Sequence, residues 1–328
     1  MDVPTWLWGL FAAVVVVGLA VDLFAHRGPH VIGFKEAARW SALWVGLSLA
    51  FAVLIAVVVS PTASVEFTTA WLLEKSLSVD NLFVFALNFG YFQVLREYQH
   101  RVLFYGVIGA LVMRGIFLVL GVAVVERFTA ILFVFAAVLL YSAWKLLKDD
   151  DESSFDPGSS FAVRLLKKVV PVRDEYAGTK FFVKEAGKRV ATPLLAVVVA
   201  IEAADLVFAV DSVPAVLAVS SDPFIVYSSN AFAILGLRAL YFLLAGLLDR
   251  FHLLSKGLAL ILAFIGVKLV LQAAHETIST SVPEIPSLVS LGVIVAVLTA
   301  SVVLSLRSPQ ESEPVEDAED VALTDQPR

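Results

Sequence analysis

Cysteine is absent from the 328 residues, which excludes disulfides, thiolate metal sites and cysteine nucleophiles at once. Charge is scarce too. Asp, Glu, Lys and Arg make up 16% of the chain and hydrophobic residues 59%, where an ordinary soluble domain has roughly 25% and 45–50%. That balance excludes a water-soluble globule, because runs such as Leu43 to Val59 are too long and too uniformly apolar for a helix with one wet face. A charged surface for nucleic acid is missing as well. The net charge of −6 comes from the final stretch, where Glu311, Glu313, Glu316, Asp317, Glu319, Asp320 and Asp325 stand against Arg328 alone, and residues 1–307 are neutral overall.

What is present is apolar sequence in pieces of membrane length. Runs near 20 residues, enough to cross about 30 Å of hydrocarbon, fall at 6–24, 40–59, 68–92, 102–122, 128–147, 193–219, 227–247, 257–275 and 287–306. The expected fold is an all-α polytopic membrane protein of about nine transmembrane helices. Residues 1–307 form its membrane domain, and 308–328 an acidic, aromatic-poor tail expected to be disordered and cytoplasmic. The first run has no basic residues before it and several after it (Arg27, Lys35, Arg39), so it reads as a retained anchor and not a signal peptide. Alternate loops collect 19 of the 24 Lys and Arg residues, the opposite loops hold only Arg127, and Lys75, Arg114, Arg238 and Lys268 fall within spans. The positive-inside rule therefore puts the N-terminus outside and the C-terminus in the cytoplasm, in the inner (plasma) membrane. The loop 148–190 is then cytoplasmic. It carries the acidic run Asp149 to Glu152, a Ser/Pro/Gly turn, a basic amphipathic stretch from Arg164 to Val170, and an alternating segment around Ala186-Gly187 that fits either a small hairpin or an interfacial segment.

The middle of the chain repeats. Arg114-Gly-Ile-Phe-Leu-Val-Leu-Gly121 resembles Arg238-Ala-Leu-Tyr-Phe-Leu-Leu-Ala245 at an offset of 124; Tyr141 to Lys145 matches Phe264 to Lys268, and Asp80 to Phe85 matches Asp205 to Val210, at 123 and 125. A unit of three spans is odd, so the second copy enters the membrane from the opposite side. Such inverted repeats recur in transporters, whose substrate sites lie near the midplane between the halves.

Five acids lie inside two of these spans: Glu74 and Asp80 in the third, and Glu202, Asp205 and Asp211 in the sixth. Each costs at least about 2.5–3.5 kcal/mol at mid-bilayer and needs a partner or a purpose. Glu202 and Asp205, at i and i+3, share a helix face. If Asp80 faces Asp205, then Glu74 and Asp211 make an outer tier roughly 9 Å away along the helices; the alternative pairs Asp80-Asn81 with Asp211-Ser212. Pro214 cannot donate to the carbonyl of Val210 and frees an oxygen beside Asp211. With Asn81 and Ser212 the donors are all oxygen, the ligand set of a hard divalent cation such as Mn²⁺, Mg²⁺ or Ca²⁺. The plainer reading is that these acids neutralise the four bases within the spans, and Arg114 and Arg238, at repeat-related positions, suit counter-charges of an ion-free state. His275 reads as an interfacial residue, and Trp6, Trp8, Trp40, Trp71 and Trp144 as interfacial anchors.

At Glu74-Lys-Ser-Leu-Ser-Val-Asp80-Asn81, at Glu202-Ala-Ala-Asp205-Leu-Val-Phe-Ala-Val-Asp211-Ser212-Val-Pro214-Ala215 and at Val169-Val-Pro-Val-Arg173, the chain resembles the TerC/Alx family of bacterial integral membrane proteins. The likeness extends to about residue 307. It implies export of Mn²⁺ with Glu74, Asp80, Glu202, Asp205 and Asp211 at the metal-handling positions, and a link to tellurium resistance. Tellurite itself, an oxyanion, would be repelled by these acids. The expected protein is a non-enzymatic divalent-cation exporter, with protons displaced by metal as the natural coupling ion. Its partners are the lipid bilayer, the transported Mn²⁺ and protons, without a resident cofactor. The alternative is a membrane scaffold for a stress or tellurite-resistance complex; an aspartyl dyad would explain two acids and leave three.

Overall fold

The computed structural model describes residues 3–25, 33–148, 161–173, 175–185, 188–244 and 253–307. The tail from Ser308, the acidic run and the Ser/Pro/Gly segment after it, residues Ala186 and Gly187, and the side chain of Asp80 lie outside what is described. Each apolar run is helical in the described residues: α1 (Thr5–Ala25), α2 (Phe34–Val58), α3 (Pro61–Tyr91), α4 (Arg96–Arg127), α5 (Ile131–Lys148), α7 (Pro193–Leu217), α8 (Pro223–Ile234) with α9 (Leu237–Leu244), α10 (Leu254–Thr277) and α11 (Ser287–Arg307). The basic stretch forms the short α6 (Phe161–Val169), and β1 (Phe182–Glu185) pairs antiparallel with β2 (Lys188–Ala191). Of the two readings of that segment the hairpin is the one found, a small exception to an all-α chain.

Among the described residues seven helices are long and apolar enough to cross a membrane, or eight with α8 and α9 taken as one span bent by 41°. The remaining expected span, the third, is α3; it has 31 residues, about 46 Å of helix, but Glu66, Glu74, Lys75 and Asp80 keep it outside the apolar set. The seventh expected span is not continuous. It breaks at Leu235-Gly236, where Gly236 takes φ +79° and the Trp44 ring lies where a Cβ would stand.

Helix directions follow the expected inverted repeat. In α4 and α7, Gly106 meets Ile201 and Gly121 meets Val213 and Leu217, so these helices run parallel. In α5 and α10, Leu140 meets Gly266 while Leu146 shares a cavity wall with Leu258 and Leu262, so these run antiparallel. The first helix of each repeat packs on the second helix of the other, α3 on α8 and α7 on α4, as a two-fold exchange requires.

Proline opens the three helices that frame the centre. Pro61, Pro193 and Pro223 each occupy the first turn, where a missing N–H costs nothing. Ser60 accepts from Ala63 N at 3.1 Å to cap α3, and Asp222 accepts from Phe224 N at 2.9 Å to cap α8. Two apolar clusters then enclose the middle of α3 and α7. One joins Leu73 and Leu77 to Val213, Val216, Ile261 and Ile265, and the other joins Leu82, Phe85 and Phe89 to Val197, Ile201 and Val107. Between the two clusters along these helices lie the buried polar side chains Ser78, Asn81, Asp205 and Ser212. Trp71 departs from its expected place: it is 7% exposed and packs with Phe67, Phe224 and Phe232, while Trp6 and Trp144 are more than half exposed.

Candidate functional site

The centre is organised by one cation. Arg114 of α4 is 1% exposed, and its guanidinium lies between the two repeats. Its Nη1 is ion-paired with Glu74 of α3, its Nη2 donates to Asp205 Oδ1 of α7 at 2.9 Å, and its Nε donates to Asp205 Oδ2 at 3.3 Å. Glu74 is fully buried and Asp205 is 2% exposed. A buried guanidinium fork facing carboxylates is held both by charge and by geometry, and removing one partner would strand the others in a medium that cannot solvate them. Asn81 completes the group: with its amide oxygen accepting from Arg114 Nη2 at 2.8 Å and its nitrogen donating to the Leu77 carbonyl at 3.3 Å, both ends are paired.

The remaining sequence candidates are distributed around this core. Asp211 accepts from Ser142 Oγ of α5 at 2.6 Å, with Lys145 one turn further along α5 acting on its charge. Ser212 is 2% exposed and its hydroxyl has no hydrogen-bond partner. A cavity of about 50 Å³ lies beside the Arg114 group, with Asn81, Arg114, Asp211 and Ser212 as its polar wall and Leu77, Leu146 and Phe208 among its apolar one. Glu202 faces α4 instead. Both its carboxylate oxygens are buried without a hydrogen-bond partner, seated in a notch left by Gly109, where a Cβ would collide with them. Asp80 lies in α3 immediately before Asn81, and its side chain is outside the described residues.

The acids therefore occupy three environments and not one continuous ladder. Among the described residues no three Asp, Glu or His side chains come together as a metal-holding group. The physical reason lies in the partners: the Arg114 guanidinium of α4 draws Glu74 and Asp205 and the Ser142 hydroxyl of α5 draws Asp211, whereas Glu202 meets neither. Glu74 and Asp205 are brought together through Arg114, Asp211 and Ser212 share the adjacent cavity with Asn81, and Glu202 stands apart.

Arg114 thus has the counter-charge role expected of it. Arg238 pairs elsewhere, its Nη2 donating at 2.6 Å to both the carboxylate and the carbonyl oxygen of Asp22 in α1. Asp22 is the single acid of the first run, and the insertion-cost argument applied to the other five points to it equally. Ser142 has no such signal, since a lone serine in an apolar helix is unremarkable in sequence. His275 sits in the last turn of α10, its Nδ1 2.7 Å from the Val282 carbonyl. At the opposite end of the bundle, Tyr176 donates to the Phe92 carbonyl at 2.5 Å and holds the segment before the hairpin against the C-terminus of α3. Burial pushes the Tyr176 hydroxyl above the usual tyrosine range, so it remains a donor.

Comparison with known proteins agrees with this architecture. The chain is 41% identical over 314 residues to "Uncharacterized membrane protein STKORF319" of Myxococcus xanthus, covering 95% of each chain. It is 43% identical over 311 residues to "Putative membrane-bound redox modulator Alx" of Escherichia coli K12, covering 91% of this chain and 94% of that one. It is 44% identical over 275 residues to "Thylakoid membrane protein TERC, chloroplastic" of Arabidopsis thaliana, covering 84% and 70%. No solved structure matches the chain. Residues 59–313, which hold all of α3 to α11 and every residue of the Arg114 group, match the integral membrane protein TerC family, and the protein belongs to that family.

Proposed function

We propose that this protein exports a hard divalent cation, Mn²⁺ before others, from the cytoplasm across the inner membrane by alternating access between its two repeats. Glu74, Asp80, Asn81, Glu202, Asp205, Asp211 and Ser212 provide the oxygen ligands along the path, and the N-terminus lies outside with the hairpin end of the bundle in the cytoplasm. The observation that carries this reading is the sharing of Arg114 by Glu74 and Asp205. Two carboxylates from oppositely threaded helices, released from one guanidinium, offer the −2 charge that a divalent ion balances. Arg114 is then the ion's internal competitor and keeps the acids neutralised when no metal is bound.

An adjoining cavity of about 50 Å³ has the oxygens of Asn81, Asp211 and Ser212 in its polar wall, which supports an oxygen-liganded ion beside the shared arginine. Tellurium resistance, where it accompanies this family, follows indirectly, since the acids repel oxyanions.

Uptake of Mn²⁺ into inside-out membrane vesicles tests the reading. If protons enter the cell as metal leaves, an acid vesicle lumen should stimulate uptake and an alkaline lumen should not. Asp205→Asn and Asp211→Asn should reduce uptake to background while the protein remains inserted. Wild-type uptake in both variants would overturn the assignment of the path.

A further inference from the structure

Lys75 stands next to Glu74 in α3, yet it has no carboxylate partner among the described residues. Its Nζ points the other way, toward the break between α8 and α9, and donates to the Ala233 carbonyl at 2.9 Å and the Leu235 carbonyl at 3.4 Å. Ala233 lies in the last turn of α8, whose helix ends at Ile234, and Leu235 is the non-helical residue that caps it. Those carbonyls have no helical donor and carry the negative end of the helix dipole. The break is fixed from behind: Gly236 takes φ +79°, and Trp44, 3% exposed, fills the space of its missing side chain.

Unwound carbonyls at the C-terminal end of a half-helix inside a membrane form a cation-binding arrangement. Here an ammonium group on the protein's own chain occupies it. We propose that Lys75 is a tethered cation in a carbonyl-lined position that would otherwise take an alkali cation, Na⁺ or K⁺. The charge needed at the break is supplied covalently and the break closes without a monovalent ion from solution. A structural lysine holding two carbonyls by hydrogen bonds alone would leave, on removal, a gap indifferent to alkali ions; a tethered cation leaves a vacant cation position. This inference goes beyond the exporter reading and does not require it, because the break is probed without divalent metal.

The test is the melting temperature of the purified full-length protein in NaCl, in KCl and in choline chloride of equal ionic strength, without divalent metal. Wild type should melt alike in all three salts. Lys75→Ala should melt below wild type in choline, and NaCl or KCl should raise its melting temperature by about 2–4 °C relative to choline, the shift given by an ion present at roughly tenfold its dissociation constant. Lys75→Arg, which keeps a tethered charge, should show no such response. If Lys75→Ala does not survive purification, Lys75→Gln retains one donor for the Ala233 carbonyl and is read in the same three salts. Absence of an alkali-ion response in the neutral variant, or its presence in wild type or Lys75→Arg, overturns the proposal.

Discussion

A guanidinium at 1% exposure in a membrane helix is tolerable only because two carboxylates meet it, and each carboxylate is tolerable only because of the guanidinium. Arg114→Gln should therefore lower stability by about 3–5 kcal/mol, read as a fall in melting temperature. If Glu74 and Asp205 are metal ligands, Mn²⁺ should restore more stability to that variant than it adds to wild type. Equal Mn²⁺ shifts in both proteins would mean that the arginine and the ion do not compete. At this scale much was legible in advance, since an acid or base within an apolar run is conspicuous and its cost is known. The choice of partner was not legible. Arg114 and Arg238 are repeat-related, yet Arg238 pairs with Asp22 of α1, a helix outside the repeat. Which acid a long side chain reaches depends on how α1 packs against the second repeat, and no local pattern encodes that.

Between elements, the contact that brings Asp205 to Arg114 depends on how closely α4 approaches α7. Gly109 leaves room there for the Glu202 carboxylate, which a Cβ would run into, whereas a Cβ at Gly115, six residues along the same helix, meets nothing within 4 Å. Gly109→Ala should destabilise the protein by about 1–3 kcal/mol through overpacking. Gly115→Ala should be neutral or stabilise by up to about 1 kcal/mol from helix propensity. Thermal denaturation of the two variants side by side checks the pair, and equal effects would contradict the close packing of α4 on α7. The helices themselves were readable from apolar run length. The break in the seventh was not, because Leu235-Gly236 sits in a run whose composition reads as continuous helix. Gly236 alone hints at the bend, and Trp44, which fills the space behind it, comes from a helix about 190 residues earlier in the chain.

For the whole molecule, the odd repeat unit was enough to read the relative helix directions from the sequence. The directions appear in the parallel α4–α7 and antiparallel α5–α10 contacts. Which side faces the cytoplasm is directly measurable, because the natural chain has no cysteine to remove. Single cysteines at two exposed positions, Lys180 before the hairpin and Ser281 between α10 and α11, should label with an impermeant maleimide from opposite faces. Ser281→Cys should react in intact cells, and Lys180→Cys only in inside-out vesicles. The reverse pattern would invert the direction of transport.

The central claim is that carboxylates of α3 and α7 jointly hold one divalent ion. Counting Mn²⁺ bound to the purified protein, from the loss of the free-ion electron paramagnetic resonance signal, tests it most directly. Wild type should bind Mn²⁺, and Glu74→Gln and Asp205→Asn should each weaken binding at least tenfold, about 1.4 kcal/mol or more. Unchanged Mn²⁺ binding in both variants would contradict the claim.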